Sequence, residues 1–233
     1  MNRKFLKQLF ILTAICCSFY ACNLNSEKGT NKDSTLNQDV VVEESSKEIK
    51  LNSEQLKKLN TFFSNFSEIF QESFAKNELS DNIMINFAVH HNYINYYKRF
   101  ESVSNGEKAK IKENYINEIA KKFFGKEIQK QQSVTEIEYK NGFYFLAQAS
   151  GEAFAFSQVE KLEDAGNGNI TAYINVYTAS SGWTGDVQAN PKTWKSNEDG
   201  NPEFSYKVKA TISLVSNKES DGNYNLVDYF KIK

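Results

Sequence analysis

Few side chains in this 233-residue chain have the type and spacing to do chemistry, and each has a plainer reading beside it. The only histidines, His90 and His91, are adjacent in a segment of helical patterning. Consecutive helical residues project about 100° apart, so the two do not chelate one metal as an i,i+4 pair does. One reads as interior and the other as a surface histidine, either becoming a base or ligand only if a distant carboxylate joins it. Asp228 falls in phase with Tyr224, Leu226, Phe230 and Ile232, on what alternation marks as the buried face of the last strand. A carboxylate there needs a partner or a shifted pKa, which makes it a candidate pocket residue. Trp183 and Trp194 lie in a long irregular segment, 179–204, with Asn190-Pro191 and Asn201-Pro202. Tryptophans on such a loop either stack on a sugar ring or partner surface, or pin the loop to a sheet. Glu136 and Glu138, two apart, share a strand face and read as solvated carboxylates.

The ligand-binding candidates are therefore Asp228, Trp183, Trp194, His90 and His91. No catalytic residue, metal ligand or cofactor is assigned. The chain has no G-x-S-x-G, P-loop, dinucleotide glycine fingerprint or H-E-x-x-H.

The elements that must position these residues are legible from periodicity. Asn52 with Gln55 forms a capping box, and Leu51 with Leu56 a hydrophobic staple. Leu56, Leu59, Phe63, Phe66, Phe70 and Phe74 then recur at helical spacing, with Phe62 and Ile69 widening the stripe. Ser80-Asp81-Asn82 opens a second helix over 83–100, apolar on more than one face and so sandwiched. A third spans 107–124 and stops at Gly125, a left-handed C-terminal position. After Ser133 the period becomes two. Strands are expected over 134–139, 143–149, 154–162, 170–178, 206–214 and 224–232, with Asn141-Gly142 as a hairpin turn and 220–223 as another. The order implies α+β: about three N-terminal helices packed against a C-terminal antiparallel meander of five to six strands.

The N-terminus carries an address. Arg3, Lys4 and Lys7 precede the apolar run 9–17, which ends at Phe19-Tyr20-Ala21-Cys22 before the polar Asn23-Leu24-Asn25-Ser26. A spanning helix needs about 20 apolar residues, and this run is shorter. The segment resembles a bacterial lipoprotein precursor, in which a cysteine after a small residue receives diacylglycerol and becomes the new N-terminus. The resemblance rests on Ala21-Cys22 and covers about the first tenth of the chain. It implies a signal peptide over 1–21, lipidation at Cys22 with palmitate-type chains, and stable membrane attachment, since several acyl chains hold where one is marginal. Of three cysteines, Cys16 and Cys17 leave with the leader, so disulfides and thiol chemistry are excluded from the mature chain.

Residues 22–50 form an expected flexible tether, rich in Asn, Ser, Thr, Lys, Glu and Asp, with only Val40-Val41-Val42 to bury. At random-coil scaling it spans roughly 30 Å. Residues 51–233 then read as one α+β globular domain. Loss of Arg3, Lys4 and Lys7 turns 28 basic and 29 acidic residues into a mature net charge of about −4, with no basic patch for nucleic acid. The Lys/Asn/Ile-rich, proline-poor composition is similar to lipoproteins of Gram-negative bacteria with AT-rich genomes. The resulting expectation is a lipid-anchored cell-envelope protein, on the outer rather than the cytoplasmic membrane, that binds a small ligand, glycan or envelope protein without catalysis. The alternatives are a structural or assembly lipoprotein acting as an interaction surface, and an enzyme without a recognisable motif.

Overall fold

A computed structural model describes residues 47–103, 106–148, 151, 153–195, 200–215 and 224–232. The signal segment, Cys22, most of the tether and the 220–223 turn lie outside the described residues. The described chain falls within one compact unit, Glu44–Lys233.

The architecture is α+β with two antiparallel sheets. Helices α1 (Ser53–Ser67) and α2 (Asp81–Asn95) come first, then strands β1 (Glu101–Val103) and β2 (Lys108–Lys112), helix α3 (Glu113–Phe124), and strands β3 (Glu138–Lys140) and β4 (Phe143–Ala147). The long strands β5 (Ala153–Gly166), β6 (Asn169–Ser180), β7 (Glu203–Leu214) and β8 (Tyr224–Ile232) come last. One sheet has the order β1-β2-β4-β3 and the other is the simple meander β5-β6-β7-β8.

This corrects the expected single meander of five to six strands: the described residues form eight strands in two sheets. The first sheet was hidden because β2 lies inside a segment whose composition favours helix and β1 is only three residues long. Lys108–Lys112 is a strand with Ala109 and Ile111 buried and the lysines outside, a period of two too short to stand out beside the helix that follows. α3 therefore starts at Glu113, not 107. Likewise α2 ends at Asn95, where Tyr96 leaves helical geometry and Tyr97–Arg99 forms a 3₁₀ turn. The Arg99 guanidinium fastens that exit. It donates to Asn92 Oδ1 and to Glu118 Oε1, each at 3.0 Å, and lies over the Tyr96 and Tyr115 rings.

The local signals that do hold are those with a backbone mechanism. Asn52 Oδ1 accepts from Gln55 N at 2.9 Å while Gln55 Oε1 accepts from Asn52 N at 3.1 Å, a complete capping box. Asn141 and Gly142 sit at φ 52° and 80°, the left-handed pair a two-residue hairpin between right-twisted strands demands.

α1 packs along β5, α2 against α3, and α3 against β8, so α1 and α3 reach the two edges of the second sheet. The shared core is aromatic. Phe66 stacks on Phe87 at 4.6 Å between ring centres and meets Phe62, Phe123, Phe124 and Tyr229. Ala172, Ile174 and Val176 of β6 and Val208, Ala210 and Ile212 of β7 are buried beneath it.

Candidate functional site

The edge strand β5 decides where the surface is open. Ala153, Ala155 and Ser157 stand opposite Ser180, Thr178 and Val176 of β6. Ser157 N–H turns away from β6 to donate to Ser64 Oγ of α1 at 2.9 Å. Two residues on, Val159 N–H donates to Asn60 Oδ1 at 2.7 Å. At the far end Asp164 N–H donates to Lys47 O and Ile49 N–H to Leu162 O, so Lys47–Ile49, which composition alone placed in the tether, lies along the strand. Helix and tether thus cover β5 from Ser157 to Asp164. Backbone groups two residues apart point the same way across an antiparallel pair, so Ala153 and Ala155 present theirs outward as well, and among the described residues nothing bonds them there.

The reason the cover stops is the end of α1. Phe70 N–H donates to Ser67 O at 2.9 Å and Gln71 N–H to Phe66 O at 3.0 Å, a Schellman stop. Its left-handed position, φ 54°, holds Phe70 rather than glycine. The chain turns off, and the Phe70 ring is left 52% exposed.

Beyond that stop lies an open groove of about 680 Å³. Ile69, Phe70, Tyr93, Ile94, Ile137 and Phe154 form its apolar walls. Leu146 and Ala147 of β4 form the wall facing Ala153 and Ala155; both lie past the reach of β3, whose pairing with β4 ends at Phe145. Polar groups are few: Glu68, His90, Glu136 and Ser181. His90 Nδ1 lies 2.9 Å from Asn86 O, so Nδ1 carries the hydrogen and Nε2 is left as an acceptor when the ring is neutral. Thr135, next to Glu136, also has a left-handed backbone at φ 42°. Non-glycine residues in that region cost of order 1–3 kcal/mol each and concentrate at functional sites. Among the described residues, two of the four positive-φ non-glycine positions flank this groove, and the other two are hairpin asparagines.

The sequence candidates separate. His90 lines the groove, while His91 is 2% exposed behind it, stacked on Phe87 at 5.5 Å. His91 Nδ1 is 3.5 Å from Glu68 Oε1 and 3.2 Å from Asn95 Nδ2, and Nε2 has no hydrogen-bond partner among the described residues. Trp183 and Trp194 come together on the face of β5 and β6 turned away from the core, where Trp183 also meets the groove-wall Phe154 at 6.4 Å. Trp183 lies parallel to Phe156 at 6.0 Å, Trp194 meets Tyr177 edge-on at 5.0 Å, and Trp194 Nε1 donates to Asp186 O. Gly185 covers the Trp183 ring so closely that a Cβ there would lie 2.2 Å from it. Both indoles therefore hold the 181–195 loop to the sheet.

Asp228 joins neither group. Thr211 opposes Asp228 but Ile212 opposes Leu226, so Val227 is a bulge that shifts the alternation. Leu226 and Tyr229 point into the core and Asp228 does not share their face. Its Oδ1 accepts from Thr211 N at 2.8 Å, which ties the bulge together. The expectation that Asp228 lies on the buried face is thereby corrected, since it is half-buried. Glu136 and Glu138 separate too: Glu136 sits in the turn before β3 and lines the groove, whereas Glu138 is 3.9 Å from Lys108.

Sequence reasoning missed Glu68, Phe70, Ile94, Glu136 and Phe154 as site residues. The one available signal was the excess of apolar residues on α2, where Ile94 stays 50% exposed. Among the described residues no group of three or more His, Cys, Asp or Glu side chains is placed to hold a metal, and no helix is long and apolar enough to cross a membrane. No family model matches the chain, and neither curated proteins nor solved structures yield a match.

Proposed function

We propose that this chain is a lipid-anchored cell-envelope protein that captures an apolar partner, without catalysis, in the groove at the start of β5. The observation that carries the reading is the groove itself: preformed, walled by exposed Phe70 and Ile94, and provided with few polar groups. Binding sites are commonly apolar concavities with a small number of placed polar groups. Its position supports a tethered role. Lys47 meets β5 at Asp164, about ten residues from Ala153, which at ~3.3 Å per residue puts roughly 30 Å between the tether's attachment and the groove.

The test has two arms. Intact mass and membrane fractionation of the full chain should show an acylated Cys22 in the membrane fraction, with Cys22→Ala released. An unmodified, soluble wild type would overturn the anchor. An environment-sensitive apolar dye should bind the full chain saturably, with Ile94→Asp weakening it about tenfold, the scale expected when a charge replaces an apolar side chain in the groove wall. Equal binding by the variant would remove the groove from the function.

A further inference from the structure

We propose that the groove receives an extended segment of a partner polypeptide as an additional β-strand on the β5 edge at Ala153–Ala155. This rests on the reading of the groove as the binding site and names the class of its occupant.

The edge is competent for it. Along β5, Ser157 and Val159 give their outward N–H groups to α1 side chains, and Lys47–Ile49 take the far end. The strand is therefore built to be covered, but where α1 stops Ala153 is exposed and Ala155, itself buried, lines the floor of the groove. Open edges of this kind are normally blunted by charge, proline or a bulge. Here both residues are small and uncharged, and the nearest bulge on β5 lies at Glu160. Gly151 keeps the acceptor side open, since a Cβ at that position would come within 3.3 Å of Ala153 O.

The surroundings specify the segment. A strand laid on this edge turns alternate side chains to opposite sides. Phe154, Ile137 and Leu146 line the groove around it, and Ile69, Phe70 and Ile94 close the helical side. Aliphatic residues at alternating positions match those walls. Glu68 and Glu136 supply carboxylates and no lysine or arginine among the described residues lines the groove, so charge complementarity selects a segment carrying lysine or arginine over an acidic one. Main-chain bonds supply affinity and the apolar walls select side chains, which is the division of labour in strand addition.

The experiment uses the full chain and a short fluorescent capped peptide alternating valine and threonine, with one central lysine. Fluorescence anisotropy should show saturable binding. The same peptide N-methylated at alternate backbone nitrogens should bind about tenfold more weakly, the scale of a lost backbone hydrogen bond. Ala153→Pro removes an outward donor that the β6 ladder does not use, and should weaken peptide binding by a similar factor. Circular dichroism and the thermal midpoint establish that this variant is folded, and Gly151→Ala gives an independent, milder crowding of the same edge. Equal affinity for parent and N-methylated peptides overturns strand addition. An apolar dye that binds wild type while no peptide does overturns this proposal but leaves the groove as a binding site. If neither binds, both readings fall. A concentration-dependent dimer that peptide fails to dissociate assigns the edge to a second copy of this chain and also overturns it.

Discussion

The backbone N–H of Gln71 donates to the carbonyl oxygen of Phe66 at 3.0 Å, closing α1 with a phenylalanine where such stops usually carry glycine. A left-handed non-glycine residue costs about 1–2 kcal/mol, and what Phe70 supplies in return is the wall its ring gives to the groove.

Phe70→Gly is accordingly expected to leave stability unchanged or raise it by about 1 kcal/mol, while weakening dye or peptide binding at the groove. Urea unfolding beside a binding titration checks this. A variant that loses stability and keeps full binding would show that the ring serves packing alone.

Asn60 is 4% exposed and holds two partners at once, accepting from Val159 N–H at 2.7 Å and donating to Gln188 Oε1 at 2.9 Å. Asn60→Ala leaves a buried N–H on β5 without an acceptor and is expected to destabilise by about 1–3 kcal/mol. It also bares more of the strand edge, so the variant should aggregate more readily on heating. Denaturant midpoints and light scattering report the two effects separately, and a wild-type midpoint would contradict the role assigned to Asn60.

Gly125 ends α3 at φ 65°, and a Cβ there would fall 2.4 Å from Asn225 Nδ2. Gly125→Ala should cost about 1–2 kcal/mol from backbone strain plus the displacement of that amide. Adding Asn225→Ala should restore the displacement part only. A double-mutant cycle without coupling would mean the amide moves aside freely.

Burial holds the phenols of Tyr144, Tyr206, Tyr224 and Tyr229 above the ordinary value of 10.0. In the unfolded chain these groups ionise near 10, whereas in the fold they stay neutral to higher pH. Their contribution to stability is thus fully present below about pH 10 and is lost as pH rises through the folded values. Each of the deeply buried pair, Tyr144 and Tyr229, removes about 1.4 kcal/mol of stability per pH unit within that window. Unfolding midpoints against pH, read with tyrosinate absorbance, should show a fall above pH 10 in step with tyrosine ionisation on unfolding. Native-state titration of every tyrosine near 10 with flat stability would contradict it.

What the sequence determined by itself are features whose physics is local. The Asn52/Gln55 capping box, the left-handed Asn141-Gly142 turn and the Gly125 stop need only neighbouring residues, and the structure has them. Where a local pattern was cut by a non-local event, the reading failed. The alternation that placed Asp228 inside assumed an unbroken strand, but the bulge at Val227 shifts the phase, and nothing in the β8 sequence announces it. β2 was absorbed into a helix because a five-residue strand carries too few periods to overrule its helical neighbour until β4 pairs with it. The groove is further still from the sequence. It exists because α1 runs out before β5 does and because β3 stops short along β4, so the length of one element is measured against another. Such differences belong to the packed chain alone, and they bring Glu68, Phe70, Ile94, Glu136 and Phe154 to one place from four separate stretches of sequence.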